Sequence, residues 1–395
     1  MSKNTRALVC AFHIAAVGLS SGCGDDKNPT SAAIESDFFM RSQADVDELA
    51  SRGSNLRIRG DVAVESSDIA SLDGLRAIGV IEGSFDIRRN RVLTDLRGLD
   101  NLTSIGGDLR IRENEKLQSL AGLGGLESIA RSLEIRDNPV LTSVAGLENL
   151  RAVGEDLIID SNDSLSSLAA LRALEFISNR IQIRLNRSLP SLNGLRGLTA
   201  INGSINLILN SSLHSLEGLD NVRTIRGDLE LFANTGLRDL AHLAALTSVG
   251  GSLKISQGRL TSLEGLENLT TVRELVLADN EGLTSLRGLT ALSSITDGLA
   301  IVADATLRDL SGMPRMQAIE GGLIVDRNQV LTSLGGLEFV TALGKSLTIF
   351  GNHQLEDLEG LDNLSSLGGL LEIRRNAALR SLTGLENLDS IRTDL

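Results

Sequence analysis

The 395-residue chain has two cysteines, four prolines, no tryptophan and no tyrosine. Both cysteines, Cys10 and Cys23, fall in the first two dozen residues. The rest of the chain therefore holds neither a disulfide framework nor a thiolate metal site. Aromatic residues make up 2% of the chain, which excludes a core built on bulky anchors. A hydrophobic content of 42% must then be packed largely from leucine, isoleucine and valine. The 38 Lys and Arg are outnumbered by 51 Asp and Glu, for a net charge of -13. That balance argues against nucleic acid as a partner, since phosphate binding relies on clustered cations. No GxSxG, HExxH, phosphate-cradling or CxxC motif occurs. His214, His242 and His353 occupy different points of the repeat described next and do not converge on a metal. No cofactor, metal or catalytic residue is expected.

What is present is one sentence written many times. The leucine of a "GL" pair recurs as Leu75, Leu99, Leu123, Leu147, Leu171, Leu195, Leu219, Leu243, Leu266, Leu289, Leu337, Leu361 and Leu385, with Met313 in its place once. The step is 24 residues, twice 23. An asparagine keeps the same time at Asn90, Asn114, Asn138, Asn162, Asn186, Asn210, Asn234, Asn280, Asn328, Asn352 and Asn376, with Gly258 and Asp304 as substitutes. Self-similarity at this period marks a solenoid, in which length measures elongation and the repeats form one continuous domain.

Within a coil, Leu109 and Ile111 alternate with Asp108, Arg110 and Arg112, the period of a strand with one buried face. Leu117, Leu120, Leu123, Leu126 and Ile129 then step by three, which suits short 3₁₀-like or irregular segments. Gly106 and Gly107 are expected to supply positive φ at the corner into the next strand. The asparagine column reads as a buried ladder in which each amide satisfies turn backbone and meets the equivalent residue one coil on. Ahead of the repeats, Ser42 with Asp45 three residues later, Val46 and Leu49 on one face, and Gly53 beyond predict a short capping helix within 41–54.

The motif "IGGDLRIRENEKLQSLAGLGGLESI" resembles the receptor L-domain type of leucine-rich repeat. Two departures are that leucine stands three residues after the asparagine, as in Asn114 to Leu117, and that no flanking cysteine modules occur. The resemblance implies a right-handed all-β solenoid over residues 55–395. It would have about fourteen coils of 23–24 residues, one long parallel sheet, and 3₁₀ or irregular segments on the other sides.

The opening residues read as an address. Lys3 and Arg6 precede an apolar run from Ala7 to Leu19, too short for the roughly 20 residues that span a bilayer, and small residues follow. That layout predicts a secretory signal over residues 1–22. "GLSSGC" resembles the lipobox of bacterial lipoproteins, although Ser20 stands where leucine is usual. The resemblance implies that Cys23 carries lipid and that membrane lipid is a partner through its acyl chains. With Gly24 next, it also implies an exported protein of the bacterial cell envelope at the outer membrane. Residues 23–40 read as a flexible tether.

Outward strand positions are free to vary, so they carry the functional expectation. One column runs Arg88, Arg112, Arg136, Asp160, Arg184, Ile208, Phe232, Ser256, Ala278, Val302, Asp326, Phe350, Arg374, and its neighbour adds Ile158, Val276, Ala300 and Ile324. Together these predict a basic stripe (Arg88, Arg112, Arg136) followed by an apolar patch (Ile208, Phe232, Val276, Val302, Ile324, Phe350), and exposed apolar patches mark binding sites. The expected function is a non-catalytic adhesion or recognition module for a protein or polysaccharide. The rivals are a passive envelope scaffold and, more remotely, a polysaccharide-acting enzyme. The chain closes on "SIRTDL", whose Asp394 and Leu395 match Asp108 and Leu109. That reading makes the last strand a truncated one, or an edge open to pairing with another chain.

Overall fold

A computed structural model describes residues 33–392, Ser67 apart. The expected signal segment, Cys23 and the final three residues lie outside that range. The described chain is a parallel β-solenoid. Fifteen strands, from Phe38–Met40 to Leu371–Arg374, form the main sheet, each paired with its counterparts in adjacent coils. The register is set by the repeat: Leu109, Arg110, Ile111 and Arg112 lie opposite Leu133, Glu134, Ile135 and Arg136. Every inward leucine and isoleucine therefore stacks on its equivalent, and one continuous core runs from Met40 to Leu367. A narrower parallel sheet accompanies the main one around the corner, built of two-residue strands such as Ser104–Ile105, Ser128–Ile129 and Ala152–Val153.

The stack begins earlier than the repeat motif indicates. Ala33–Ile34 and Phe38–Met40, inside the segment read as a tether, already pair with Leu56–Ile58 and Val62–Val64. These residues make the fifteenth strand, and they escape the pattern because a helix follows them where other coils carry the leucine steps. That helix, α1 (Gln43–Ala50), is capped by Ser42 and Asp45 in a reciprocal box and buries Val46 and Leu49. It lies so close to the next coil that a Cβ on Gly74 would sit 2.0 Å from the Val46 carbonyl oxygen. So α1 is the back of the first coil, not a lid placed before it.

The corner glycines act by closeness, not by handedness. Gly106 and Gly107 have ordinary φ, but a Cβ on Gly106 would meet the Glu82 carbonyl oxygen at 2.1 Å. Positive φ belongs to the glycine of the "GL" pair, as at Gly122 (φ 115). Coils without that conformation form a 3₁₀ turn instead, at Asp73–Ala77, Ala169–Ala173, Asn193–Leu195 and Ala241–Leu243.

A second left-handed position sits at the end of each main strand from Phe85–Arg88 onward, immediately before the ladder residue, and it is almost never glycine. Arg89, Glu113, Asp137, Ser161, Leu185, Leu209 and Ala233 all have φ between 54 and 58. Each is held by the strand beyond it, as where the Leu209 N–H donates to the Phe232 carbonyl at 2.9 Å. An L-residue there costs about 1–2 kcal/mol, which glycine relieves in part against its greater unfolded-state freedom. Leu209 is 41% exposed, so little packing is lost with its side chain. Leu209→Gly is therefore expected to raise stability by about 0.5–1 kcal/mol in equilibrium denaturation. A loss of that size would show that the side chain, not the backbone, governs the site.

The asparagine column is a continuous hydrogen-bonded file over its first seven members. The Oδ1 of Asn114 accepts from the backbone N–H and the amide of Asn90 at 3.1 and 3.0 Å, and its own amide donates to the Ile87 carbonyl at 3.0 Å. The pattern repeats through Asn138, Asn162, Asn186, Asn210 and Asn234. It breaks at Gly258, which has no side chain to offer Asn234, and resumes through Asn280, Asp304, Asn328, Asn352 and Asn376. A second, exposed row passes unnoticed in the sequence: Asn101, Asn149, Asn221, Asn268, Asn363 and Asn387 each donate to a carbonyl of the preceding coil. The sequon-like "NLT" at Asn101 and Asn268 thus belongs to a structural contact.

At the far end, core positions lose their cover. Leu371 and Ile373 are only partly buried, and Leu382 and Ile391 are 56% and 47% exposed. No helix among the described residues is long and apolar enough to cross a membrane.

Candidate binding face

The main sheet's outward side chains form three parallel columns, because alternate residues of each strand face out and successive coils superpose. In the first third of the stack these columns are charged, and the structure corrects the expected basic stripe. Arg88 meets Glu65 at 2.7 Å and Asp86 at 3.4 Å, Arg112 meets Asp86 at 2.7 Å, Arg136 meets Glu134 at 3.3 Å, and Arg184 meets Asp160 at 2.8 Å. Hydrogen bonding from Arg88 holds the Glu65 carboxyl below its usual range. One pairing runs diagonally: Asp86 takes Arg112, two residues further along the strand, and leaves Arg110 to Asp108 and Glu134. A column of arginines read alone looks cationic, but carboxylates in the neighbouring column, Asp86 and Glu134, and in the column itself, Asp160, pair with it. The stripe is a neutralised lattice and gives no special purchase on an anionic polysaccharide. Beside it runs a groove of about 580 Å³ lined by Arg89, Glu113, Asp137 and Asp163. There the Asp137 carboxyl is pushed up by burial and by the nearby Asp160 and Glu113.

The apolar part lies over the later coils. Ile208, Phe232, Val276, Ala278, Ala300 and Val302 are half-buried, and Ile324 is 43% exposed. Two earlier assignments change. Ile158 is fully buried and contributes nothing to the face. Phe350 is shielded by the guanidinium groups of Arg374 and Arg375, 6.0 and 5.4 Å from its ring centre, so it closes the patch instead of extending it.

The coils under the patch depart from the repeat. Gly258 and Leu260 are two residues apart where Asn234 and Leu237 are three, and Val272 and Leu275 are three apart where Val249 and Leu253 are four. The second deletion removes a corner residue. Corner and main strands fuse nearby into Ser248–Ser256, Thr271–Ala278 and Ser294–Val302, the longest strands of the described residues. The next outward column here holds glycines: Gly298 and Gly322 pair across adjacent strands. Their missing side chains leave a recess of about 270 Å³, floored by Ala300 and Ile324 and edged by Glu274, Asp297, Lys345 and Thr348. Lys345 reaches back two coils to Asp297 at 2.6 Å, holding that carboxyl below its usual range, and Arg273 joins at 3.1 Å. The only cue to this recess in the sequence is the shortened step between the "GL" leucines.

No protein family matches the chain, and no curated protein matches it. Among solved structures it is similar to one described as a complex of TLR13 with ssRNA13, at 17% identity and a TM-score of 0.29, covering 88% of this chain. The match spans 63% of the other protein's length. At that identity and score the likeness carries no information about what this chain binds.

No group of three or more histidine, cysteine, aspartate or glutamate side chains is placed to hold a metal among the described residues. His214 bonds a backbone oxygen of its own turn and His242 bonds Asp220.

Proposed function

We propose that the chain is a non-catalytic binding module whose main sheet, at the coils carrying Ile208 to Ile324, contacts a partner protein. The observation that carries this reading is the coincidence of three features on one stretch of sheet. Aliphatic side chains stand outward there, two glycines open a recess among them, and two successive shortened coils of the repeat lie beneath. A spacer needs none of these, because the ion-paired lattice of the earlier coils already provides a soluble outer face. An aliphatic patch with one aromatic ring favours the apolar side chains of a protein over a sugar, which usually stacks on aromatic rings. Anchoring through acylated Cys23 and residence in the outer membrane complete the proposal, resting on the lipobox-like sequence alone.

Retention of proteins from envelope or partner-cell extracts by soluble protein starting at Gly24 tests it. Phe232→Asp and Val302→Asp each place a charge in the patch and are expected to weaken retention at least about tenfold, while Arg112→Ala changes it little. Equal retention by all three variants would favour the spacer. Fatty-acid labelling lost on Cys23→Ala checks the anchor.

A further inference from the structure

Thirteen positions of the ladder include one acid, Asp304. It is fully buried, and its Oδ1 does what an asparagine oxygen does, accepting from the Asn280 backbone N–H and amide at 2.8 and 3.0 Å. Its Oδ2 has no partner. In the next coil the corresponding atom is the Asn328 amide nitrogen, which donates to Ile301 at 3.0 Å. Ile301 pairs with Leu277 across the sheet, so the Leu277 carbonyl is what Asp304 faces by the same register. An ionised carboxylate would set two acceptors against each other in a site without water access. A carboxylic acid has the one hydrogen that the missing amide would have supplied.

We propose that Asp304 serves as a protonated rung, donating Oδ2–H to the Leu277 carbonyl, and that its ionisation loosens the coils beneath the apolar patch. The charges around it do not compensate an anion. Asp279 in the preceding coil is negative, and Glu281 there is turned to Arg259 at 3.5 Å. In the following coil Arg327 is engaged by Asp326 at 3.1 Å, and the neighbours in its own coil, Ala303 and Ala305, carry no charge. Burial accordingly pushes the Asp304 carboxyl up to about 6 from 3.8. Because the folded value is the higher one, the folded state keeps its proton where the unfolded chain has lost it. Stability from this group is fully present below pH 3.8, falls as pH rises towards about 6, and stays low above it.

The test compares the full chain with Asp304→Asn, which restores the residue used elsewhere in the ladder and folds whichever protonation state is correct. Thermal midpoints are measured from pH 4 to 8, and hydrogen-exchange protection of the segment 294–310 at pH 5 and pH 8, corrected for intrinsic rates. The variant's midpoint is expected to gain on the wild type as pH rises, by several degrees between pH 4 and 7. Protection of 294–310 should fall about tenfold in the wild type only. A midpoint difference that does not change across this range, or equal protection changes in both proteins, overturns the proposal.

Discussion

Gly122→Ala is expected to destabilise the protein by about 2–4 kcal/mol, while Gly124→Ala, two residues away, leaves it unchanged within about 0.5 kcal/mol. The two sites differ in what a Cβ meets. At Gly122 it would lie 1.9 Å from the Leu96 carbonyl oxygen and 2.3 Å from its carbon, with φ at 115; at Gly124 nothing lies within 4 Å. The obstacle is backbone, so no rotamer change relieves it. Either the coils separate locally or the turn changes form. The chain shows the second route at Ala169–Ala173, where alanine occupies the equivalent place and the turn is 3₁₀. That route sets the lower end of the range, because the whole segment must shift against two neighbours. Urea denaturation of the three proteins decides it. Equal midpoints for the two variants would mean that the spacing between coils is looser than the geometry states.

The period, the inward columns and the asparagine file are legible in the sequence because a solenoid converts translation along the chain into superposition in space. A residue repeated every 24 positions must meet itself. What is not legible depends on relations between columns. The arginines at 88, 112 and 136 form a visible series, but their neutralisation depends on where each side chain reaches, across to Glu65, diagonally to Asp86 and along the strand to Glu134, which alternation alone does not fix. Phe38–Met40 is missed because the helix after it replaces the leucine steps that define a coil. The left-handed residues before the ladder are missed because glycine is the usual signal for that conformation, and here only Gly351 provides it among the positions from Arg89 to Arg375. The recess is missed because it is an absence: two glycines in a column whose other members all carry side chains, mostly Asp or Ser.

Replacing a central rung is the severest conservative-sized change the fold offers, and Asn210→Leu is expected to lower stability by about 3–5 kcal/mol. Asn210 accepts from the Asn186 backbone N–H at 3.1 Å and donates to the Ile183 carbonyl at 2.9 Å and to Asn234 at 3.2 Å. Leucine matches its bulk but leaves the Asn186 N–H and the Ile183 carbonyl unpaired in a dry core, at about 1–3 kcal/mol each. The loss falls on one interface of a one-dimensional stack, so it acts on the coupling between the segments before and after it as well as on total stability. The expected signature is a lower midpoint together with a broader denaturation transition. Asn210→Asp separates the two losses: it keeps the acceptor for Asn186 and offers Ile183 a donor only while its carboxyl is protonated, reproducing at a second place the proposed state of Asp304. It should cost less than leucine at low pH and approach it as the carboxyl ionises. If Asn210→Leu and Asn210→Asp are indistinguishable at every pH, the ladder is held by shape alone and the hydrogen bonds along it contribute nothing measurable.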